Sequence, residues 1–257
     1  TIDTPVSDED NPELTVLFDT VLRFAPYAGQ DVLFVVMSQV PVGTTERLFQ
    51  IISPHSPGAT CAYLPENLQL GRAIESFLMP DRIVIGADTP EIRVRLEQIL
   101  SGIPAPRFFM SVRSAEMSKH ALNAFLGSSL SYIYNISDLC EALGADVTDV
   151  SRALKSDSRI GERAYLDSSV GFSGGTLMRD MKILRELAAN EKLSLPVIEG
   201  ALATNEGRLQ RFVIRIEELF GRPLSGIRLG ILGVTYKAGT STLRRSLALE
   251  LMERLRK

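Results

Sequence analysis

Four short apolar runs, separated by stretches with helical spacing, limit what the first part of this chain can fold into more than any other feature. Asp31–Met37 (DVLFVVM) is a continuous β-branched and apolar run, and Thr60–Leu64, Arg82–Gly86 and Arg107–Met110 follow it. A run without polar alternation suits a strand covered on both faces, as in a parallel sheet. Ahead of the first run, residues 14–26 carry helical apolar spacing (Leu14, Val16, Leu17, Val21, Leu22, Phe24). The Ser38–Thr45 turn caps a helix through Ile51–Ile52, and Pro90 starts another with Ile92, Val94, Leu96, Ile99 and Leu100 on one face. Strands alternating with helices predict α/β layers around a mainly parallel sheet.

At Ser114 the pattern changes. One helical pattern runs to about Leu143, interrupted only by Gly127, and Asp146 and Thr148 open another that ends near Lys155. Further helices are predicted over Thr176–Asn190 and from Pro196 to Phe220, the last with a break near Gly207. This all-helical block suits helix packing and a dimer interface. After the Gly221-Arg222-Pro223 linker, Ile227–Val234 (IRLGILGV) reads as a buried strand and Ser246–Arg256 as an amphipathic helix. One strand and one helix cannot bury a core. The first unit likewise lacks the opening βαβ of a complete doubly wound sheet. The expectation is therefore the middle of a longer protein, or a deliberately shortened chain.

Composition narrows the function classes. A chain of 257 residues has room for about two domains. A formal net charge of −3 gives no electrostatic footprint for nucleic acid or an anionic membrane. No apolar run approaches the ~20 residues that span a bilayer, and the acidic, polar start is not a signal peptide. Cys61, Cys140, His55 and His120 are too few and too scattered for a metal site. With no export signal, reduced thiols in a cytoplasmic protein are the default.

Val170–Asp180 (VGFSGGTLMRD) carries the densest chemical signal. Glycines at 171, 174 and 175 let the backbone bend and let a ligand approach the main chain. A helix starting near Thr176 presents unpaired N–H groups and a partial positive charge to the turn, which suits a phosphate or oxyanion. Taken alone, the turn reads first as an ordinary loop with Thr176 or Ser173 as N-cap.

Its setting changes that reading. Ser38–Thr45, Pro65–Gly71, Pro80–Gly86, the Ser114–Asn123 helix, Arg159-Ile160-Gly161, Val170–Asp180 and Gly230–Arg244 occur in one order and spacing. Together they resemble the UDP-glucose/GDP-mannose dehydrogenases, over nearly the whole chain. The resemblance implies a cytoplasmic homodimer, serving polysaccharide biosynthesis, that oxidises a nucleotide-sugar alcohol at C6 to the acid with two NAD molecules. It implies an α/β fold with an all-helical central domain. Residues 1–112 would be the second half of a Rossmann-type parallel sheet, the C-terminal part of the NAD domain. Residues 113–220 would be the helical dimerisation and substrate domain, and 226–257 the start of a second Rossmann-like, nucleotide-binding unit. The GxGxxG turn of the NAD domain is missing, so no turnover is expected of this stretch alone.

Roles follow from the same resemblance. Lys119 and Asn123 face the sugar, and their i, i+4 spacing puts both on one helical face. There an ammonium can stabilise a developing alkoxide while an amide orients the sugar. Glu66 helps position water, and Asp180 lies one helical turn after the nucleophile's place. Gly171, Phe172 and Ser173 line the sugar nucleotide, Arg159 reaches the sugar of a neighbouring subunit, and Tyr236-Lys237 hold its phosphate or sugar. Thr4, Pro5, Ser38, Gln39, Val40, Arg179 and Arg244 occupy cofactor positions for NAD. No metal, nucleic acid or membrane is implied.

The departures matter as much. The family's turn runs GFGGSCFPKD, and its cysteine forms a thiohemiacetal and then a thioester. Here that place is Thr176, a neutral hydroxyl with a far higher pKa than a thiol. Gln39 and Leu70 replace a threonine and a glutamate of the family pattern. The expected function is a nucleotide-sugar oxidoreductase that stops at an aldehyde or hydrate, or uses Thr176 poorly. The alternative is a non-catalytic, nucleotide-sugar-binding dimer.

Overall fold

The apolar spacing of residues 14–26 closes into α1 (Thr15–Phe24) and a 3₁₀ turn at Ala25–Tyr27. The computed structural model describes residues 4–5, 12–66, 68, 71–221, 224–236, 239, 241–243 and 245–256. It forms two compact units, Thr1–Ala121 and Leu122–Lys257.

In the first unit each apolar run becomes a four-residue strand. After α1 come β1 (Leu33–Val36), α2 (Thr44–Ile52), β2 (Thr60–Tyr63), α3 (Ala73–Leu78), β3 (Ile83–Gly86), α4 (Pro90–Ile99) and β4 (Arg107–Met110). The sheet order is β1-β2-β3-β4. β1 and β2 are parallel with Leu33 opposite Thr60, and β3 and β4 are parallel with Ile83 opposite Arg107. The two pairs meet through one antiparallel pairing, Tyr63 with Gly86, so the sheet is mainly parallel, as expected, with one antiparallel junction that makes it mixed. Among the described residues the link between β2 and β3 holds the short α3, and β3 runs opposite to β2 where Tyr63 meets Gly86. No residue of α3 is buried, so it lacks the apolar stripe that would have announced it.

Burial follows position in the sheet. β3 is buried at every residue, whereas β1, at the edge of the described sheet, is half-buried instead of covered on both faces. Ile83 and Ile85 pack with Ile92, Leu96 and Leu100 on one side. Val84 packs with Leu17, Leu48, Tyr63, Val112 and Ala115 on the other. Val94 and Ile99, expected on the buried face of α4, are exposed: Val94 projects away from the face of Ile92 and Leu96, and Ile99 is the last residue of the helix.

The second unit is helical. α5 (Val112–Leu143) is continuous and contains the boundary between the units. Asp146 caps α6 (Val147–Ser156), accepting from Thr148 N–H at 2.7 Å. The helix expected at Thr176 begins instead as a π-helical turn, Gly174–Met178, and continues as α7 (Arg179–Asn190). α8 (Pro196–Phe220) runs unbroken through Gly207. A helical glycine costs about 1 kcal/mol, and buried Leu202, Leu209 and Val213 on α8 offset it. The lone glycine of the long helix pattern is explained by packing, since a Cβ at Gly127 would lie 2.6 Å from Met181 Sδ.

The expected strand at Ile227–Val234 does not form, although α9 (Leu247–Leu255) does. A strand needs a neighbour for its main-chain groups. Among the described residues none pairs with this stretch, and Leu232 is 99% exposed. No helix of the described residues is long and apolar enough to cross a membrane, and none of their His, Cys, Asp or Glu side chains group to hold a metal ion.

Burial pushes the Cys61 thiol from 9.0 up to about 12. Below the lower value both folded and unfolded chains keep the proton. Above it only the unfolded chain releases its proton, so stability falls as pH rises from 9.0 toward about 12. Urea denaturation on either side of that lower value should show this loss, and Cys61→Ala should reduce it. An unchanged slope in the variant would reject the assignment.

Candidate functional site

The start of α5 grips the carboxyl ends of β1 and β2. Leu64 N–H donates to Val36 O at 2.9 Å, so the segments Ser38–Val40 and Leu64–Glu66 leave the sheet side by side. Ligands of open α/β sheets bind beyond such strand ends. Buried Thr4 donates its hydroxyl to Gln39 O (3.2 Å), which brings Thr4-Pro5 to the same edge. Lys119 is buried, and its ammonium donates to the main-chain oxygen of Glu66 at 2.5 Å. The Glu66 carboxylate itself accepts from Leu68 N–H at 2.6 Å.

Two residues of this edge escape the sequence reading. Glu116 is fully buried, and its carboxylate accepts from the N–H groups of Gly43 (2.6 Å) and Thr45 (2.9 Å) at the start of α2. His120, also fully buried, donates from Nε2 to Val40 O at 2.9 Å. The available signal was polar residues recurring at i, i+3, i+4 and i+7 (Glu116, Lys119, His120, Asn123), which share one face of the helix.

This edge fits part of a dinucleotide such as NAD. Ser38 and Gln39 supply polar groups, and Gly43, at φ +92°, leaves open space where a Cβ would project. The first N–H groups of α2 are already satisfied by Glu116, so that helix end is not the pyrophosphate cradle. Of the other cofactor positions, half-buried Arg179 lies in the helical unit, and Arg244 falls outside the described residues.

In the helical unit Asn123 Nδ2 donates to Asp180 Oδ2 at 2.5 Å. Both residues are buried, Asp180 completely. Asp180 stands in the first turn of α7, where the helix dipole favours a negative charge. The π turn before it, a geometry frequent at functional sites, holds Thr176 exposed. Ser173 is buried, and its hydroxyl has no hydrogen-bond partner among the described residues. Phe172 is buried against Tyr134, with ring centroids 6.5 Å apart and planes at 28°. Behind this turn α8 places Asn205 and Arg208, both buried and neither anticipated from sequence.

Other expected residues stand elsewhere. Arg159 is exposed and holds Asp157 with two bonds of 3.0 and 2.7 Å, which keeps the Asp157 carboxyl below its usual range. It lines an open cavity of about 1100 Å³ with Phe125, Tyr132, Tyr165 and Val197. Tyr236 is exposed, its N–H donating to Thr242 O at 2.9 Å, and Lys237 falls outside the described residues. Neither cysteine offers an evident nucleophile, since Cys140 is buried on α5 and Cys61 is held as a thiol.

Comparison with known proteins follows the same division. Residues 1–103 match the NAD binding domain of the UDP-glucose/GDP-mannose dehydrogenase family, and residues 113–207 match its central domain. The chain is 31% identical over 255 residues to a UDP-glucose 6-dehydrogenase of Rickettsia prowazekii (strain Madrid E), covering 98% of this chain and 58% of that protein. It is 33% identical over 256 residues to the UDP-glucose 6-dehydrogenase of Rhizobium meliloti (strain 1021), covering 96% and 58%. A solved UDP-glucose dehydrogenase from the archaeon Pyrobaculum islandicum aligns with a TM-score of 0.88 at 30% identity, over 99% of this chain and 61% of that one. The chain thus spans about 58% of the length of these two relatives.

Glu116→Ala leaves two amides of the α2 start without their charged acceptor. It should lower stability by about 3 kcal/mol or more, with Glu116→Gln costing less, as read from urea denaturation midpoints.

Proposed function

This chain belongs to the UDP-glucose/GDP-mannose dehydrogenase family, and on that premise we propose that the whole protein is a cytoplasmic, NAD-dependent dehydrogenase acting at C6 of a UDP- or GDP-sugar. The observation that carries this reading is the buried Asn123–Asp180 bond, one turn beyond Thr176 at the glycine turn. A buried carboxylate fixed by an amide is a preorganised polar pair, and preorganised polar groups are what stabilise developing charge. UDP-glucose is the first substrate to try, because it is the one named in the relatives.

The roles then run as follows. NAD, when bound against Thr4, Pro5, Ser38, Gln39, Val40, Arg179 and Arg244, would accept the hydride from C6. Lys119 stabilises the alkoxide from which that hydride leaves, and Asn123 orients the sugar. Glu66 and Asp180 hold water. Gly171, Phe172 and Ser173 line the sugar nucleotide, with Tyr236 and Lys237 at its phosphates. Thr176 cannot form a thiolate, so the aldehyde is not captured as a thiohemiacetal. Oxidation then ends at the aldehyde or its hydrate. A second reading, a non-catalytic nucleotide-sugar-binding protein, is favoured by the same Thr176 and by the engagement of the Lys119 ammonium with Glu66 O.

We also propose that α5 pairs with a second copy of the chain. Phe125, Tyr132, Leu139 and Leu143 stay 51 to 74% exposed along the helix. Their spacing of seven, seven and four residues makes one apolar stripe. Arg159 would then serve the sugar of the neighbouring copy.

Full-length protein mixed with NAD and a panel of UDP- and GDP-sugars should give one NADH per sugar by absorbance, and Thr176→Cys should add a second. Two NADH from the wild type would overturn the role given to Thr176. Silence across the panel, with calorimetric binding of UDP-glucose retained, would favour the non-catalytic reading. Sedimentation at micromolar concentration should show a dimer that the pair Phe125→Glu and Tyr132→Glu converts to monomer. A wild-type monomer would remove the dimer.

A further inference from the structure

Gly171 has φ +129°, and the space beside it is taken. A Cβ there would lie 3.2 Å from Asn205 Oδ1 and 3.7 Å from Arg208 Cβ. These two residues stand about one turn apart on α8 and are both buried. Asn205 holds Phe172 on both sides of its main chain. Its Oδ1 accepts from Phe172 N–H at 2.9 Å, and its Nδ2 donates to Phe172 O at 2.8 Å.

Arg208 holds the approach to the turn. Its Nε donates to Ser169 O at 3.0 Å, one terminal nitrogen donates to Ser168 Oγ at 3.2 Å, and the other pairs with the Asp138 carboxylate. The guanidinium carbon lies 4.9 Å from the Tyr134 ring centroid and 5.2 Å from that of Phe212. Ser169 Oγ is in turn shared with Tyr134 Oη (2.8 Å) and accepts from Gly171 N–H (3.3 Å). A loop would ordinarily wander here, yet Ser169 O and both main-chain groups of Phe172 are met by side chains of one helix.

We propose that Asn205 and Arg208 are positioning residues that hold Ser168–Phe172 in the shape that receives the nucleotide sugar. The proposal rests on the reading that this turn lines the sugar nucleotide. Neither residue hydrogen-bonds the Asn123–Asp180 pair, so their role is in binding rather than in the chemical step. A turn held in its bound shape before the ligand arrives saves the cost of ordering it on binding. Losing that order raises KM and leaves kcat nearly unchanged.

The test uses full-length protein carrying Arg208→Met, Arg208→Lys or Asn205→Asp. Asp keeps the acceptor for Phe172 N–H but sets a carboxylate oxygen against Phe172 O where the amide donated, so that arm of the clamp turns repulsive. In Arg208→Met, amide hydrogen exchange of the peptide spanning 168–173 should quicken by roughly tenfold, while the peptide spanning 112–121 keeps its wild-type rate. The calorimetric dissociation constant for UDP-glucose, and its KM where turnover is present, should rise by roughly tenfold with kcat within about twofold. Arg208→Lys should fall between the wild type and Arg208→Met in both readouts. Wild-type exchange at 168–173 in folded Arg208→Met and Asn205→Asp would overturn the proposal, and so would an unchanged affinity. If the wild type binds no nucleotide sugar, the functional reading fails and the substrate role of the clamp fails with it. The exchange measurement still decides whether α8 sets the turn.

Discussion

A carboxylate taken out of water has to be met by hydrogen-bond donors, and each unit of this chain has such a group at its centre. In the α/β unit it is Glu116, whose two oxygens close the N–H groups that start α2. In the helical unit it is Asp180, bonded by Asn123 at the start of α7. Both partners from the long helix, Glu116 and Asn123, belong to a polar series along α5 that also contains Lys119 and His120. Apolar cores are tolerant of shape, but a buried charge accepts few arrangements. The loops that carry the candidate chemistry are therefore tied to α5 by directional bonds.

The same logic governs the glycine turn. Its glycines admit a close neighbour, and the neighbour at Gly171 is α8. Asn205 and Arg208 supply the donors and acceptors that a buried loop needs, and Phe172 supplies apolar area against Tyr134. Thr176 stands exposed on the π turn, away from these restraints. The scaffold of the turn is thus built from residues around Thr176 rather than from Thr176 itself.

Much of the architecture was legible because it depends on local spacing. Asp31–Met37, Thr60–Leu64, Arg82–Gly86 and Arg107–Met110 each contain a strand, since short apolar runs rich in β-branched or aromatic residues suit a covered sheet. Asp146 and Pro90 mark helix starts where capping and proline chemistry place them. Features that depend on a distant partner were not legible. The antiparallel meeting of Tyr63 and Gly86 depends on how the Leu64–Arg82 link runs. Ile227–Val234 has strand composition, but composition does not supply a neighbouring strand.

The candidate site divides along the same line. Glycines at 171, 174 and 175, the i, i+4 pair Lys119 and Asn123, and threonine at 176 are all plain in the sequence, because residue type and spacing carry them. The tertiary structure alone decided that Asn123 meets Asp180 and that Lys119 meets the main chain of Glu66. It alone brought Glu116 and His120 to the turn after β1, and Asn205 and Arg208 to the glycine turn. Periodicity assigns a side chain to a face of its own helix. Which polar group waits opposite that face is settled only when the helices pack.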